Sequence, residues 1–251
     1  MIRFAMESRT GDREYNEDCI QMDKIGKERV YLLADGLGGC GCGDVASQTA
    51  VGSVLEYFRN EYRPIGETEA DDLEQAMEYA QNAVLEARTT VPGAVRMCST
   101  LVILKMNSEE AQWAHIGDSR LYMFRRKILQ GYTIAEQTLD HSVPQMLVNM
   151  GNISPEEIRK HPDRNRLLHN LGEDTEKLGC KVSPVVKLRK NDAFLLCSDG
   201  FWEYITEEQM LQCLKKADSV QKWLDSMLEI VEKNGTGENM DNYSAVCVQI
   251  R

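Results

Sequence analysis

Three aspartates stand beside turn residues at the ends of short apolar runs. Asp35 and Asp199 each end such a run and precede a glycine, and Asp241 lies shortly before the run that begins at Ala245. An acid at the end of a strand is held by a rigid element and still reaches the edge of the sheet, as a preorganised metal site requires. A single Asp-Gly pair is more often an ordinary turn. Three such acids together predict a cluster of carboxylate ligands.

The donor types indicate which cation this cluster would select. Gly36 follows Asp35, and a glycine lets the backbone approach closely enough for its carbonyl oxygen to act as a further ligand. Oxygen donors without histidine favour Mg²⁺ or Mn²⁺ over zinc or copper. Because such ions bind phosphate esters well, the pattern indicates chemistry on a phosphorylated substrate.

The segment Arg13-Glu14-Tyr15-Asn16-Glu17-Asp18 sets a guanidinium beside carboxylates. The planar fork of arginine can hold two phosphate oxygens together, so Arg13 is a candidate anchor for a substrate phosphate. A solvated charged loop would have the same composition, and the segment alone does not separate these two interpretations.

Another polar segment, Gly117-Asp118-Ser119-Arg120, lies between two apolar stretches. This pattern predicts a hairpin or a bulge, and a plain β-turn explains it equally well. Ser119 has no obvious histidine partner in a nucleophile-elbow pattern such as G-x-S-x-G. A serine nucleophile is therefore not predicted.

Short strands and amphipathic helices must position these residues. Apolar runs bounded by turn formers predict strands at 30–33, 100–106, 193–197 and 245–250. Near-helical spacing of apolar residues predicts helices at 44–62, 71–88, 207–215 and 219–233. Strands and helix pairs come in blocks instead of strict alternation, which favours an α+β layered domain.

Length and composition restrict the class of protein. The 251 residues, 42% hydrophobic and 27% charged, suit one globular domain over residues 1–251. A net charge of −11 argues against a nucleic-acid partner. No stretch has the length of a spanning helix or of a secretory signal, so we expect a cytoplasmic protein without a membrane partner.

The eight cysteines are spread along the chain, and several lie inside apolar runs. We interpret most of them as reduced core residues. Cys40-Gly41-Cys42 is too short a spacing for the usual zinc pair, and exposed thiols there would be open to oxidation.

The polar motifs occur in a fixed order. From the N-terminus they are Arg13-x-x-Asn16-Glu17-Asp18, Ala34-Asp35-Gly36-Leu37-Gly38-Gly39, Gly117-Asp118-Ser119-Arg120, Leu139-Asp140-His141-Ser142, His161-Pro162-Asp163-Arg164-Asn165, Leu171-Gly172, Ser198-Asp199-Gly200 and Asp241-Asn242-Tyr243-Ser244. This set resembles the motifs of the metal-dependent protein phosphatase family, the type-2C or PPM serine/threonine phosphatases, in its compact bacterial form. One such motif would be weak evidence for the family, but all of them in the same order over nearly the whole chain are specific evidence.

The resemblance implies a fold and a set of ligands. The fold would be an α+β four-layer α-β-β-α sandwich, with two central, mainly antiparallel sheets flanked by helix pairs. Asp35 would bridge two metal ions, and Gly36 would give a carbonyl oxygen to one of them. Asp199 and Asp241 would hold the other ion. Asp118 matches an acid that helps to bind a third metal in bacterial members.

Other residues would support this centre. Glu17 and Asp18 would act mostly through metal-bound waters, and Arg13 would hold the substrate phosphate. The stretch from 142 to about 180 matches the family's flap, a mobile segment beside the site. Leu37 stands where some eukaryotic members have a histidine proposed as the general acid, so the general acid is unassigned. His141 is a weaker candidate, because a histidine beside an aspartate is more often structural.

The implied reaction is hydrolysis of phosphoserine and phosphothreonine in proteins. A water bridging two Mn²⁺ or Mg²⁺ ions would attack phosphorus directly, without a covalent enzyme intermediate. Implied partners are phosphorylated proteins and a cognate serine/threonine kinase, with the chain as a monomer. Two alternatives stay open: a phosphoprotein-binding pseudophosphatase, which the intact ligands disfavour, and another metal-dependent phosphoester hydrolase such as a nuclease, which the acidic composition disfavours.

Overall fold

A computed structural model describes residues 1–37, 42–66, 72–127 and 129–251, apart from the side chain of residue 95. The strands are β1 Ile2–Arg9, β2 Asp18–Ile25, β3 Glu28–Leu37, β4 Cys98–Ser99, β5 Leu101–Met106, β6 Glu110–Ile116, β7 Arg120–Lys127, β8 Gly131–Gln137, β9 Lys181–Val182, β10 Val186–Lys187, β11 Ala193–Cys197 and β12 Tyr243–Ile250. The helices are α1 Gly43–Asn60, α2 Asp72–Thr90, α3 Val143–Asn149, α4 Asp199–Trp202, α5 Glu207–Lys216 and α6 Val220–Gly235, with 3₁₀ turns at Ala94–Arg96 and Pro155–Lys160.

The strands form two antiparallel sheets. The first sheet has the order β1-β12-β11-β7-β8, and the second has the order β10-β6-β5-β3-β2. The two-residue strands β4 and β9 pair with β3 and β6 at the ends of the second sheet. Neighbouring antiparallel strands need only short connections, which explains why strands come in blocks along the sequence.

Alternating residues of β3 face opposite sides of the second sheet. Val30 and Leu32 pack with α1 and α2, whereas Tyr31 and Leu33 pack between the two sheets. All four side chains are fully buried, so this strand is apolar on both faces. Burial of each such side chain stabilises the fold by about 1.5–3 kcal/mol.

The first sheet is covered in the same way. Ala193 and Leu195 of β11 pack with α5 and α6 around Trp223, and Phe194 and Leu196 face the second sheet. The layers are therefore α1/α2, second sheet, first sheet and α5/α6. This confirms the four-layer α-β-β-α sandwich with two mainly antiparallel sheets.

The helices and strands predicted from the sequence are present in the structure, with small differences at their ends. The strand predicted at 193–197 is β11 itself, and the run at 245–250 extends back to Tyr243 in β12. The helix predicted at 207–215 begins after Thr206, whose side chain and that of Gln209 form a capping box. The helix predicted at 219–233 begins after Ser219, which accepts a hydrogen bond from the amide of Lys222.

The connection through Gly117 and Asp118 is not the predicted hairpin or bulge. It joins β6, in the second sheet, to β7, in the first sheet, so the two flanking strands do not pair with each other. The apolar stretches on either side belong to different layers. The sequence pattern predicts a turn, but it does not indicate that the chain passes from one sheet to the other at this point.

The segment from 142 to 180, which is polar and contains three prolines, forms short helices and loops. Ser142 caps α3, and a capping box between Ser154 and Glu157 starts the 3₁₀ turn at Pro155–Lys160. Leu171 and Ser99 exchange backbone hydrogen bonds of 2.8 and 3.0 Å, which return the chain to the edge of the second sheet.

The cysteines of the described ranges are free thiols, and Cys197 and Cys247 are buried as expected. Cys40 and its neighbours from 38 to 41 lie outside the described residues, so the expectation for the Cys40-Gly41-Cys42 turn stays a prediction. Within the described parts of the chain, every helix is too short or too polar to cross a membrane.

Candidate metal centre

Three of the predicted acids meet because their elements end at the same edge. Asp35 lies near the end of β3, directly opposite Asp18 at the start of β2. Asp199 follows β11 by two residues and begins α4, and Asp241 precedes β12 by two residues. Since β11 and β12 are antiparallel neighbours, the end of one and the start of the other lie side by side.

The acids open onto one cavity of about 520 Å³. Its lining includes the predicted phosphate anchor Arg13, the residue Glu17 that is expected to act through water, and the predicted metal ligands Asp35, Gly36, Asp118, Asp199 and Asp241. Asp18 lies beneath this lining as the strand partner of Asp35. Residues separated by more than 200 positions in the chain thus line one cavity.

The backbone of Asp35 is fixed from both sides. Its N–H donates to Thr100 Oγ1 at 2.9 Å, and its carbonyl oxygen accepts from the Thr100 N–H at 2.9 Å and from Ser99 Oγ at 3.0 Å. The hydroxyl of Thr100 is also 2.8 Å from that of Ser119, next to Asp118. The carboxylate of Asp35 therefore projects from a rigid frame.

Gly36 is required by close backbone approach. A Cβ atom at this position would lie 1.9 Å from the carbonyl oxygen of Gly43 and 2.8 Å from that of Glu17. The Gly36 N–H donates to the Glu17 carbonyl at 3.1 Å. No residue with a side chain fits here, which supports the interpretation of Gly36 as a backbone position within the site.

The carboxylates of Glu17 and Asp18 accept hydrogen bonds from two separate segments. Glu17 Oε1 accepts from the Gly43 N–H, at the start of α1, at 3.1 Å. Asp18 Oδ2 accepts from Ser198 Oγ at 2.8 Å, whereas its buried Oδ1 has no hydrogen-bond partner among the described residues. A buried carboxylate oxygen without a partner is costly, and a bound water or cation would satisfy it.

Asn242 is a site residue whose role the sequence did not reveal. Its Oδ1 accepts from the Glu17 N–H at 2.7 Å, and its Nδ2 donates to the carbonyls of Thr10 and Tyr15 at 2.8 and 2.9 Å. It thereby fixes the loop that carries Arg13. The only local signal is a polar residue between Asp241 and the start of β12.

Arg13 stands at the rim of the cavity. Its Nη2 donates to Asp241 Oδ2 at 2.8 Å, and 48% of the Arg13 side chain is exposed. One nitrogen of the guanidinium therefore donates to Asp241, a predicted metal ligand, while the rest of the guanidinium is open to a phosphate entering from solvent.

The crowded carboxylates resist ionisation. Burial, followed by repulsion from Asp199, raises the pKa of Asp35 and of Asp118 well above the ordinary value for aspartate. Burial and then repulsion from Asp241 raise the pKa of Asp199 to about 6. Burial likewise raises the pKa of Asp18 to about 7, although hydroxyl hydrogen bonds offset part of the shift. Such like-charge crowding is what bound cations relieve.

The donor set fits hard cations that keep part of their water. Within the described ranges, no group of three His, Cys, Asp or Glu side chains has the arrangement that a metal ion needs from side chains alone. Magnesium-like ions commonly bind one or two carboxylates and fill the other positions with water. The predicted ligands in the cavity wall offer oxygen donors, which suit partly hydrated Mg²⁺ or Mn²⁺ better than a zinc site built from Cys and His.

Histidines do not line the described part of the cavity. Leu37 lies at its edge with 36% of its surface exposed. His141 instead contacts the residue before Asp118: its Nδ1 accepts from the Gly117 N–H at 3.2 Å, and its ring stacks on that of His115 with the ring centres 4.7 Å apart. Burial, with the neighbouring cationic groups, lowers the pKa of His141 to about 3. These features favour a structural role for His141.

Comparison with known proteins places this arrangement in a family. A family model described as Protein phosphatase 2C matches residues 7–243. The chain belongs to this family. The phosphatase 2C match covers all the segments that line the cavity, from Arg13 to Asp241.

Several phosphatase 2C relatives can be compared in detail. The chain is 29% identical over 254 residues to the serine/threonine protein phosphatase PstP of Mycobacterium tuberculosis, covering 100% of this chain and 45% of that protein. It is 30% identical over 232 residues to the serine/threonine phosphatase stp of Listeria welshimeri, covering 91% of this chain and 88% of that protein. The chain thus spans about half the length of PstP and nearly all of stp.

A solved structure provides a metal-bound comparison. The crystal structure of the catalytic domain of serine threonine protein phosphatase PstP in complex with two manganese ions superposes with a TM-score of 0.79. It is 26% identical, and the match covers 100% of this chain and 99% of that one.

Proposed function

We propose that this chain hydrolyses phosphoserine and phosphothreonine in proteins, in a reaction that depends on Mn²⁺ or Mg²⁺. The observation that supports this most directly is the single cavity onto which Asp35, Asp118, Asp199 and Asp241 open, with Arg13 at its rim. Family membership and the two relatives named as serine/threonine phosphatases agree with it.

The proposed ligand set follows the cavity lining. Asp35 would contribute to two ions, the Gly36 carbonyl oxygen would help to hold one of them, and Asp199 and Asp241 would hold the other. Asp118, on the connection between the sheets, would contribute to a third. The two manganese ions in the PstP catalytic domain support two ions as the basic complement. Glu17, in the wall of the cavity, and Asp18, beneath it, would act through water.

The protein side chains would bind and orient the phosphorylated residue. When bound, the ions would supply a water ionised near neutral pH and offset the charge on the phosphoryl oxygens. The Arg13 guanidinium would grip the phosphate by its free edge, since its Nη2 already contacts Asp241. Leu37 has no acidic proton, so the leaving-group oxygen would need another proton donor, and a water in the cavity is the candidate.

The segment from 142 to 180 is proposed as a flap on a single catalytic domain spanning 1–251. Arg159 donates to the Trp202 carbonyl at 3.0 Å and to Glu207 at 2.8 Å, and Arg164 donates to Glu203 at 2.7 Å. These contacts fasten the segment to α4 and α5, beside Asp199. A monomeric state, a cytoplasmic location, a cognate kinase and the absence of nucleic-acid or membrane partners stay predictions.

Substitution of the central acids tests the proposal. Asp35→Asn and Asp199→Asn should abolish Mn²⁺-dependent hydrolysis of a phosphothreonine peptide while the circular dichroism spectrum stays native. Asp225→Asn, on the exposed face of α6, is the control and should keep full activity. Unchanged turnover in either cavity variant would reject the ligand assignment.

A substrate-by-metal matrix separates the alternatives. Peptides with phosphoserine, phosphothreonine or phosphotyrosine and an oligonucleotide should each be tested with Mn²⁺, Mg²⁺, Zn²⁺ and chelator. The phosphatase proposal expects turnover of the first two peptides with Mn²⁺ or Mg²⁺ only. Peptide binding without turnover would indicate a pseudophosphatase, and oligonucleotide cleavage would indicate a nuclease.

A further inference from the structure

A second cleft lies at the opposite end of the first sheet from the metal centre. Asp199 follows the C-terminal end of β11, whereas Lys190 precedes its N-terminal end and lines this cleft. The five residues of β11 separate these ends by roughly 15 Å. The cleft is therefore outside the catalytic cavity and shares no lining residue with it.

The cleft is cationic in a strongly acidic protein. Arg126, Lys190, Lys215 and Arg251 line it, and its lining includes no aspartate or glutamate. The whole chain has 40 acidic and 29 basic residues, whereas the cleft is lined by four basic side chains and no acidic side chain. The cleft therefore differs in charge from the chain as a whole. An acid-free group of this kind attracts anions.

The charges of three of these cations are not neutralised within the fold. Arg126, Lys190 and Lys215 are exposed, and in the described ranges none of them forms an ion pair. The nearest acid in sequence to Lys190 is Asp192, but its two oxygens already accept from Arg125 at 3.0 and 2.7 Å. The backbone N–H of Arg189 also donates to Asp192 at 2.8 Å. The charges in the cleft are therefore available to a ligand.

The rest of the lining suits a planar organic group. The cavity volume is about 520 Å³, within the usual range for small-molecule sites. Tyr132 lies opposite Arg126 on the neighbouring strand, and Leu214 and Ala217 add apolar surface. Two amide side chains, Asn191 and Gln249, also line the cleft. Cations, an aromatic ring and amides together match a phosphate joined to a heterocycle.

We propose that this cleft binds a phosphate-bearing small molecule of the nucleotide class. Its phosphates contact Arg126, Lys190 and Lys215, and its base lies against Tyr132. The concave shape and the position far from the metal centre favour a small molecule over an acidic segment of the protein substrate. This binding site goes beyond the proposed phosphatase activity and does not depend on it.

Isothermal titration with ADP in the presence of EDTA tests the assignment. Without metal ions the catalytic cavity is a cluster of carboxylates, which repels ADP and leaves the second cleft as the binding site. We expect one ADP per chain and an affinity that falls as sodium chloride rises. The triple variant Arg126→Glu, Lys190→Glu, Lys215→Glu should lose at least tenfold in affinity, while its phosphopeptide hydrolysis with Mn²⁺ stays unchanged.

A charge-matched variant provides the control. Lys24→Glu, Lys27→Glu, Lys233→Glu changes the net charge equally at exposed positions outside the cleft and should keep ADP affinity within about twofold. Absence of ADP binding, equal binding by the cleft variant, or equal loss in the control would overturn the proposal.

Two further probes test the ligand class. Pyrophosphate should bind more weakly than ADP, because it lacks the base, and adenosine should bind weakest because it lacks the charge. Pyrophosphate binding as tight as that of ADP would show that the base does not contact Tyr132 and would contradict the nucleotide class. An acidic peptide that binds more tightly than ADP would assign the cleft to a protein segment instead.

Discussion

Trp202 donates its indole N–H to the backbone carbonyl oxygen of Asp118 at 3.0 Å. Trp202 ends the short helix α4 that Asp199 begins, whereas Asp118 lies on the connection between the two sheets. The guanidinium of Arg120 lies 3.5 Å from the centre of the indole ring. Two segments that carry predicted metal ligands are thus joined through one side chain.

Removing this hydrogen bond should weaken metal binding at Asp118. Trp202→Phe keeps an aromatic ring beside Arg120 but loses the indole N–H donor. The lost hydrogen bond contributes about 0.5–1.5 kcal/mol of free energy. We expect the Mn²⁺ concentration for half-maximal activity to rise about threefold to tenfold, with the KM for phosphopeptide at saturating Mn²⁺ unchanged.

Trp113→Phe is the control for this change, because Trp113 packs between the two sheets next to Phe194. It should leave the Mn²⁺ dependence of activity unaltered. An unaltered Mn²⁺ dependence in Trp202→Phe as well would show that the hydrogen bond does not position Asp118.

The crowded acids should make the metal-free protein less stable than a variant with one acid fewer. Burial raises the pKa of Asp199 to about 6, so its ionised form destabilises the native state at neutral pH. This penalty is absent below about pH 4, where the group is protonated in both states, and is complete above about pH 6. Asp199→Asn should therefore raise the unfolding free energy with EDTA at pH 7.5 by about 1–2 kcal/mol.

The measurement is urea unfolding at pH 7.5 and at pH 4, with EDTA and with excess Mn²⁺. The stabilisation by Asp199→Asn should vanish at pH 4. With Mn²⁺ at pH 7.5 the order should reverse, because the wild-type site binds the ion and the variant has lost a ligand. A variant less stable than wild type under EDTA at pH 7.5 would contradict the assigned repulsion.

Arg13 should affect substrate binding more than turnover. It would contact the phosphate both before and during the reaction, so Arg13→Ala should raise KM about tenfold and leave kcat within about threefold. Arg13→Lys keeps the charge without the planar fork and should give an intermediate KM. Steady-state kinetics with a phosphothreonine peptide separate the two parameters, and a loss confined to kcat would refute the anchoring role.

Sequence patterns are sufficient to predict the central strands β3, β5, β11 and β12 but not the strands at the edges of the sheets. The bounds of β11 could be predicted because an apolar run buried on both faces ends at polar turn residues on each side. Strand β1 was not predicted, because it lies at an edge of the first sheet and Ala5 is its only buried residue. Edge strands carry charged residues on their open sides, so their sequences lack a continuous apolar run.

The candidate site likewise has residues that local sequence patterns predict and contacts that they do not. Asp35, Asp199 and Asp241 could be recognised from the sequence because each stands at the end of its own apolar run. The contacts of Trp202 with Asp118 and of Asn242 with Glu17 join residues 84 and 225 positions apart. Such contacts depend on how the layers pack, and no local pattern encodes them.

Lys105 provides a stability test far from the metal centre. Its Nζ lies 2.6 Å from Asp72 Oδ2 and 3.3 Å from Glu28 Oε2, and it also donates to the Arg63 carbonyl. All three charged side chains are at least 90% buried, and the ammonium lies 4.9 Å from the centre of the Phe58 ring. One cation thus balances two acids between β5, α2 and the start of β3.

Lys105→Met should destabilise the fold by about 3–5 kcal/mol, because it leaves Asp72 and Glu28 buried without a counter-charge. Adding Asp72→Asn and Glu28→Gln to the same chain should recover most of this loss, since the remaining groups are neutral. Lys187→Met, at an exposed position of β10, should change stability by less than about 0.5 kcal/mol. Urea unfolding measures the stability of all three proteins, and a Lys105→Met variant within about 1 kcal/mol of wild type would show that the contacts of Lys105 with Asp72 and Glu28 do not stabilise the fold.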